Sequence, residues 1–202
     1  MLLPETTNKD ITEILDVSPV YLFYDETQPD SIEFNRKNMI STTNWLVNID
    51  KRLTLKQILP HLQYLQDKRH SDGMHKNKSA KNYFTCSNTD LENLSFIEFT
   101  DIVYNRESSI DYFSKKINIK FPSSDRVNFL SYINDGIIVD STTKDGFLKA
   151  LKSIAVANKE QINIILNFSQ DLIFQDYISY KTLLLELNID NVIVANDEFI
   201  YN

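Results

Sequence analysis

Glycine is nearly missing from this chain. Only Gly73, Gly136 and Gly146 occur in 202 residues, no two close enough to shape a phosphate-cradling loop. P-loop and Rossmann nucleotide sites, which need clustered glycines, are thereby excluded. Cys86 is the single cysteine, so no internal disulfide can form and nothing points to an oxidising compartment. No apolar run approaches the roughly 20 residues a membrane span needs. The start, Met1-Leu2-Leu3-Pro4-Glu5, turns polar at once and has neither a basic nor an apolar leader region. The expected location is the cytoplasm as the chain stands, or the periplasm if a native leader has been removed. Positive charge is also short: the net charge is −7 and the pI about 5.0. Phosphate backbones are repelled by such a surface, so nucleic acid is not an expected partner.

What is present is a repeated pattern. Asp90-Leu91, Phe96-Ile97, Phe99 and Ile102-Val103 reappear as Asp171-Leu172, Tyr177-Ile178, Tyr180 and Leu183-Leu184, each 81 residues later. A fixed offset with apolar or aromatic character kept throughout points to a duplicated supersecondary unit. Hydrophobic content of 42% is enough for a folded core in either half.

Val17–Tyr24, Ile32–Phe34 and Thr43–Asp50 read as strands, with Pro19 marking an edge or a strand start. Thr54 can cap a helix whose Leu55, Ile58, Leu59, Leu62 and Leu65 share one face, with Pro60 kinking it or delaying its start. Lys68–Asn82 reads as a polar, basic loop, and Tyr83–Cys86 as a short strand. Leu91–Tyr104 reads as a helix capped from Asn88–Asp90, with Leu91, Leu94, Ile97 (or Phe96) and Ile102-Val103 inward. Arg-Glu-Ser-Ser within Asn105–Ser114 breaks the rhythm and sets the joint between halves. Beyond it, Ile117–Phe121 alternates as a half-buried strand does, and Phe129–Asp140 holds another strand around Ile137-Ile138-Val139. Thr143 caps a helix carrying Phe147, Leu148, Leu151, Ile154 and Ala155, and Ile162–Phe168 is a continuous apolar run suited to a central strand. Asp171–Leu187 is a second helix and Val192–Ala195 a closing strand. The expected fold is α+β: a tandem pair of β-β-α-β-α-β units, residues 1–110 and 111–202, with helices on one face of each sheet.

Ile162-Asn163-Ile164-Ile165-Leu166-Asn167-Phe168, followed by a charged turn, an aromatic-starting helix and Asn191-Val192-Ile193-Val194, resembles the periplasmic domain of ExbD/TolR-type proteins. The resemblance covers about residues 117–202, and residues 32–105 in outline. It implies a non-enzymatic domain that pairs, or binds a partner peptide along a sheet edge, in the setting of a TonB/Tol-like transport system. That family carries an N-terminal membrane helix with an Asp that serves proton-driven motors. Nothing here matches it, so no motor residue carries over.

Candidate chemistry is sparse. His70, Asp72 and His75 could hold Zn²⁺, but Ser71-Asp72-Gly73 breaks any helix there and Lys68, Arg69, Lys76 and Lys78 surround it. His61 beside Pro60 reads as a polar face residue. Cys86 follows every histidine in sequence and has no local nucleophile signature, so it reads as a buried thiol. Asp50 and Asp140 each end an expected strand before a Thr-capped helix, where carboxylates hold Mg²⁺ in phosphoryl-transfer folds. Asp140-Ser141-Thr142-Thr143 lacks a second carboxylate and Asp50-Lys51-Arg52 sets cations at the site, so turn formation explains both. The expectation is therefore no catalytic residue, metal or cofactor.

The leading function is a non-catalytic binding or assembly module with a protein or peptide partner, a homodimer included. Trp45, Tyr24, Tyr177 and Tyr180 are its candidate contact residues, because Tyr and Trp are enriched at interfaces. The alternative is a small metal-assisted hydrolase or phosphatase built on Asp50 and Asp140.

Overall fold

Strands alternate their side chains and helices bury one stripe, and both periods are met in a computed structural model that describes residues 1–70, 77–106, 116–133, 136–158, 160–187 and 189–202. The described elements form two six-stranded mixed sheets with three helices, an α+β fold in two similar sheet units. The first unit comprises residues 1–101 and 173–182, the second residues 102–172 and 183–202.

In the first unit, β1 is Glu5–Thr6, β2 Val17–Tyr24, β3 Ile32–Asn35, β4 Asn44–Ile49, α1 Leu55–His70, β5 Asn82–Asn88 and β6 Asn93–Glu98. Strands β2, β4 and β5 run parallel, while β3 and β6 close the two sides antiparallel. Strand β6 occupies one side of β5, so β4 and the short β1 share the other. Pro19 pairs with Leu46 of β4, on a stretch of β2 that β3 does not reach. There its missing N–H costs the sheet no bond.

Helix α1 starts with a reciprocal capping box. The Gln57 amide donates to Thr54 Oγ1 (3.3 Å) and the Thr54 amide to Gln57 Oε1 (2.8 Å). Leu55, Ile58, Leu59, Leu62 and Leu65 are all buried, as the spacing predicts. The helix begins ahead of Pro60 and continues through it, so the proline does not delay the start. Registers place Phe34, Leu22, Ile49, Val47 and Phe84 on one face of this sheet. Rings of His61 and Tyr64 from α1 lie 4.7 and 5.9 Å from Phe34 on that face.

Residues 90–103 are not the helix that the repeat predicts. They hold β6 and the start of β7 (Val103–Arg106), with Leu91 and Leu94 exposed instead of inward. The cause is local. Asn88 Oδ1 accepts the amides of Asp90 and Leu91, as a helix cap does, but Glu92 then enters the left-handed region (φ 49°) and the chain doubles back. The duplication therefore survives as two similar sheet units and not as a residue-for-residue match, since Ile97 lies on a strand and Ile178 on a helix.

The helix that covers this part of the first sheet is α3, Phe174–Leu185. Its Phe174 and Tyr177 rings stand edge-on to Phe84 at 5.2 and 6.1 Å, and Phe84 stacks on Phe99 at 3.9 Å. Its first amides find main-chain acceptors: Phe174 N–H bonds the Leu53 carbonyl (2.7 Å) and Gln175 N–H that of Lys51 (3.2 Å). The Gln175 side chain closes a two-way pairing with the Glu5 backbone at 2.8 and 3.0 Å. Thr182 and Thr6 hydroxyls meet at 2.8 Å.

The second sheet contains β8 (Lys116–Phe121), β9 (Arg126–Ile133), β10 (Gly136–Thr143), β11 (Ile162–Ser169) and β12 (Val192–Tyr201), in the order β10-β9-β8-β11-β12-β7. The expected strand around Ile137–Val139 is thus the second of a pair, β9 being the first. Helix α2, Phe147–Ala157, buries Phe147, Leu151 and Ala155. Phe147 lies 5.6 Å from Phe121 and 6.0 Å from Phe129, and Phe121 stacks on Phe168 at 4.6 Å. Strand β11 is central, parallel to both β8 and β12. Its Ile164 and Leu166 are fully buried, as the continuous apolar run predicts.

Truncating Leu166 to alanine removes a side chain from a site with no solvent face. A loss of about 2–5 kcal/mol in urea unfolding is expected; a loss well under 1 kcal/mol would contradict this placement of the core.

Candidate functional site

Trp45, the only tryptophan, lies in the core of the first unit with no exposed surface. Its indole N–H donates to the Ile40 carbonyl (2.7 Å), and the Arg69 guanidinium sits 3.6 Å above its ring. Arg69 is itself buried at the end of α1. Its fork donates to Asn82 Oδ1 (2.9 Å), the Ser41 carbonyl (3.0 Å) and the Thr43 carbonyl (3.2 Å). Burial lowers its pKa to about 10, so it stays charged at neutral pH. Sequence reasoning places Arg69 among solvated loop cations; the signal that could have found it is its place four residues beyond Leu65, on the buried stripe.

Tyr177 and Tyr180 are fully buried too, and only Tyr24 among the four candidates keeps part of its surface. Tyr24 ends β2, where its hydroxyl donates to Glu26 Oε1 (3.0 Å) and Arg52 lies 4.4 Å over its ring. The acceptor Glu26 raises the phenol above its ordinary range.

Asp50 follows β4 and is fully buried. Arg52 grips it with both arms, Nε to Oδ1 and the NH2 nitrogen to Oδ2, each 2.9 Å, while the Leu2 amide donates to Oδ2 at 3.0 Å. Burial opposes the charge, but Arg52 and the Leu2 amide outweigh it and hold the carboxyl below its ordinary range. Asp140 belongs to the second unit and is exposed, in mid-strand opposite Phe129. It does not end β10, which continues to Thr143; the Gly146 amide donates to Thr143 Oγ1 (3.3 Å), ahead of α2.

His61 packs on Phe34, and burial lowers its pKa. His70 Nδ1 lies 2.9 Å from the Gln66 carbonyl oxygen. Asp72 and His75 lie outside the described residues. Among the described residues no group of three His, Cys, Asp or Glu side chains could hold a metal ion. Cys86 is buried, and burial pushes its thiol up to about 12, which leaves no thiolate at neutral pH. An open depression of about 660 Å³ along α2 is lined by Asp145, Leu148, Lys149, Lys152, Ser153 and Val156, a mixed helix surface without converging polar groups.

The sheet edges differ sharply. The outer side of β6 receives the N-terminal segment, Phe96 N–H donating to the Ile11 carbonyl at 2.9 Å. Strands β3 and β7 are edges of four residues each. Strand β10 has eight residues, pairs with β9 without a register shift, and among the described residues no strand pairs with its outer side. Ile137, Ile138 and Val139 are 45%, 44% and 51% exposed in succession, so both faces of this strand present apolar surface. It carries no lysine, proline or bulge, and Asp140 is its one charged side chain. The sequence reading finds this strand but not its edge position, which depends on long-range pairing.

No family model matches the chain, and no curated protein or solved structure matches it either.

Asp50 gives a pH test. Its folded pKa lies below the unfolded 3.8, so its stabilisation is present above the unfolded pKa and lost as pH falls through the folded value. Asp50→Asn should cost about 1–3 kcal/mol at pH 7, and the gap to the native chain should narrow steadily below pH of about 4. An equal gap at pH 7 and at pH of about 2 would contradict the ion-pair account.

Proposed function

We propose that this chain is a non-catalytic binding module that takes an extended segment of a protein or peptide partner along β10. The eight-residue edge, with its exposed Ile137-Ile138-Val139, carries this reading, because a strand edge that no described strand pairs offers a row of main-chain donors and acceptors to an incoming strand. Ile137 and Val139 would contact the incoming strand on one face and Ile138 on the other, which gives side-chain specificity to the backbone pairing. The −7 charge argues against nucleic acid as the occupant. The resemblance of residues 117–202 to ExbD/TolR periplasmic domains points the same way and suggests an accessory role in a TonB/Tol-like transport system. The hydrolase alternative loses support at Asp50, whose two oxygens are held by Arg52 and Leu2.

Panning a library of unstructured ten-residue peptides against the full chain tests the reading. Enriched sequences should alternate apolar residues, and the variant Ile138→Lys should lose them while keeping its thermal midpoint. Failure to enrich any sequence, or binding unchanged by Ile138→Lys, would contradict an edge-strand module.

A further inference from the structure

We infer that the strand completing β10 is the β10 of a second copy of this chain, antiparallel and centred on Ile138. The inference rests on the edge-binding reading above and names its partner. Three adjacent residues are half-exposed, Ile137 and Val139 on one face and Ile138 on the other, so a fitting strand must present apolar groups on both faces. A second copy supplies such a strand by construction.

Register decides the rest. Centred on Ile138, the two isoleucines at 138 face each other on one side of the sheet. On the other side Ile137 faces Val139 twice. All six exposed apolar side chains are then matched, and Asp140 falls opposite Gly136 of the second copy, away from its own counterpart. Centring on Val139 would set Ile138 against Asp140, and centring on Asp140 would oppose two carboxylates, which destabilises a cross-strand pair. The contact is isologous, so it closes at two copies and leaves no apolar part of either β10 edge open. Five residues from each copy make a small contact, of the class below about 1,200 Å², so the dimer should be weak and concentration-dependent.

The native chain lends itself to a cross-linking test because Cys86 is buried and its thiol is pushed up to about 12. Full-length Ile138→Cys and Thr142→Cys would each be exposed to oxidised glutathione at high protein concentration, beside sedimentation of the native chain and Ile138→Lys. The register brings the two thiols introduced at position 138 opposite each other, within disulfide reach, and leaves a thiol at position 142 without a counterpart. Expected are a disulfide-linked Ile138→Cys dimer, on the order of tenfold less from Thr142→Cys, and a native mass that rises with concentration but does not rise for Ile138→Lys. A native chain that stays monomeric, with no cross-linking of Ile138→Cys, would overturn self-pairing, and so would equal cross-linking at 142 or a dimer indifferent to Ile138→Lys. If the monomer still captures library peptides through β10, the binding-module reading stands while this inference falls. Far-UV circular dichroism and an unchanged thermal midpoint confirm that each variant remains folded.

Discussion

The first turn of α3 needs acceptors for its free amides, and the turn between β4 and α1 provides them. Every helix begins with N–H groups that no residue of its own can satisfy. Here Leu53 and Lys51 carbonyls take those of Phe174 and Gln175. The same turn opens with the Asp50–Arg52 pair and ends with the Thr54–Gln57 capping box. One short stretch therefore ends a strand, starts one helix and anchors the start of another. Phe84, stacked on Phe99 and met edge-on by Phe174 and Tyr177, sits beneath that anchor and is fully buried with them. The first unit consequently depends on a helix encoded more than seventy residues after its last strand, β6.

That dependence sets the limit of what the sequence reveals. Period and capping chemistry place β2, β4, α1, β8 and β11 nearly residue for residue, and α3 within three residues at each end, because each obeys a local rule. Residues 90–103 break the reading because an Asn cap and an Asn-led hairpin turn start alike; the divergence waits for Glu92, whose left-handed backbone no pattern announces. Apolar spacing says that α3 has a face to bury, but not which sheet receives it. Tyr177 and Tyr180, read as contact candidates, are consumed by that burial, and Trp45 is consumed under Arg69. The edge position of β10 is hidden for a related reason: strand order is a property of pairing, and Ile137-Ile138-Val139 reads the same in a central strand as at an edge.

Polar chemistry in the chain is turned inward to the fold. Asp50, Arg69 and Gln175 each satisfy main-chain or charged groups that packing would otherwise strand. Ile137, Ile138 and Val139 stay exposed on β10, whose outer side no described strand pairs, and the recognition proposed for this strand rests on that.

The account rests on α3 completing the first unit, and Trp45 reports on that unit in the intact chain. Phe174→Ala in α3 removes a fully buried ring, which should cost about 3–5 kcal/mol. At a urea slope of about 2–3 kcal/mol/M, the unfolding midpoint read by Trp45 fluorescence should fall by at least about 1 M. A Trp45 transition that stays in place while α3 is disrupted would show that the first unit stands without this helix, and would contradict the account.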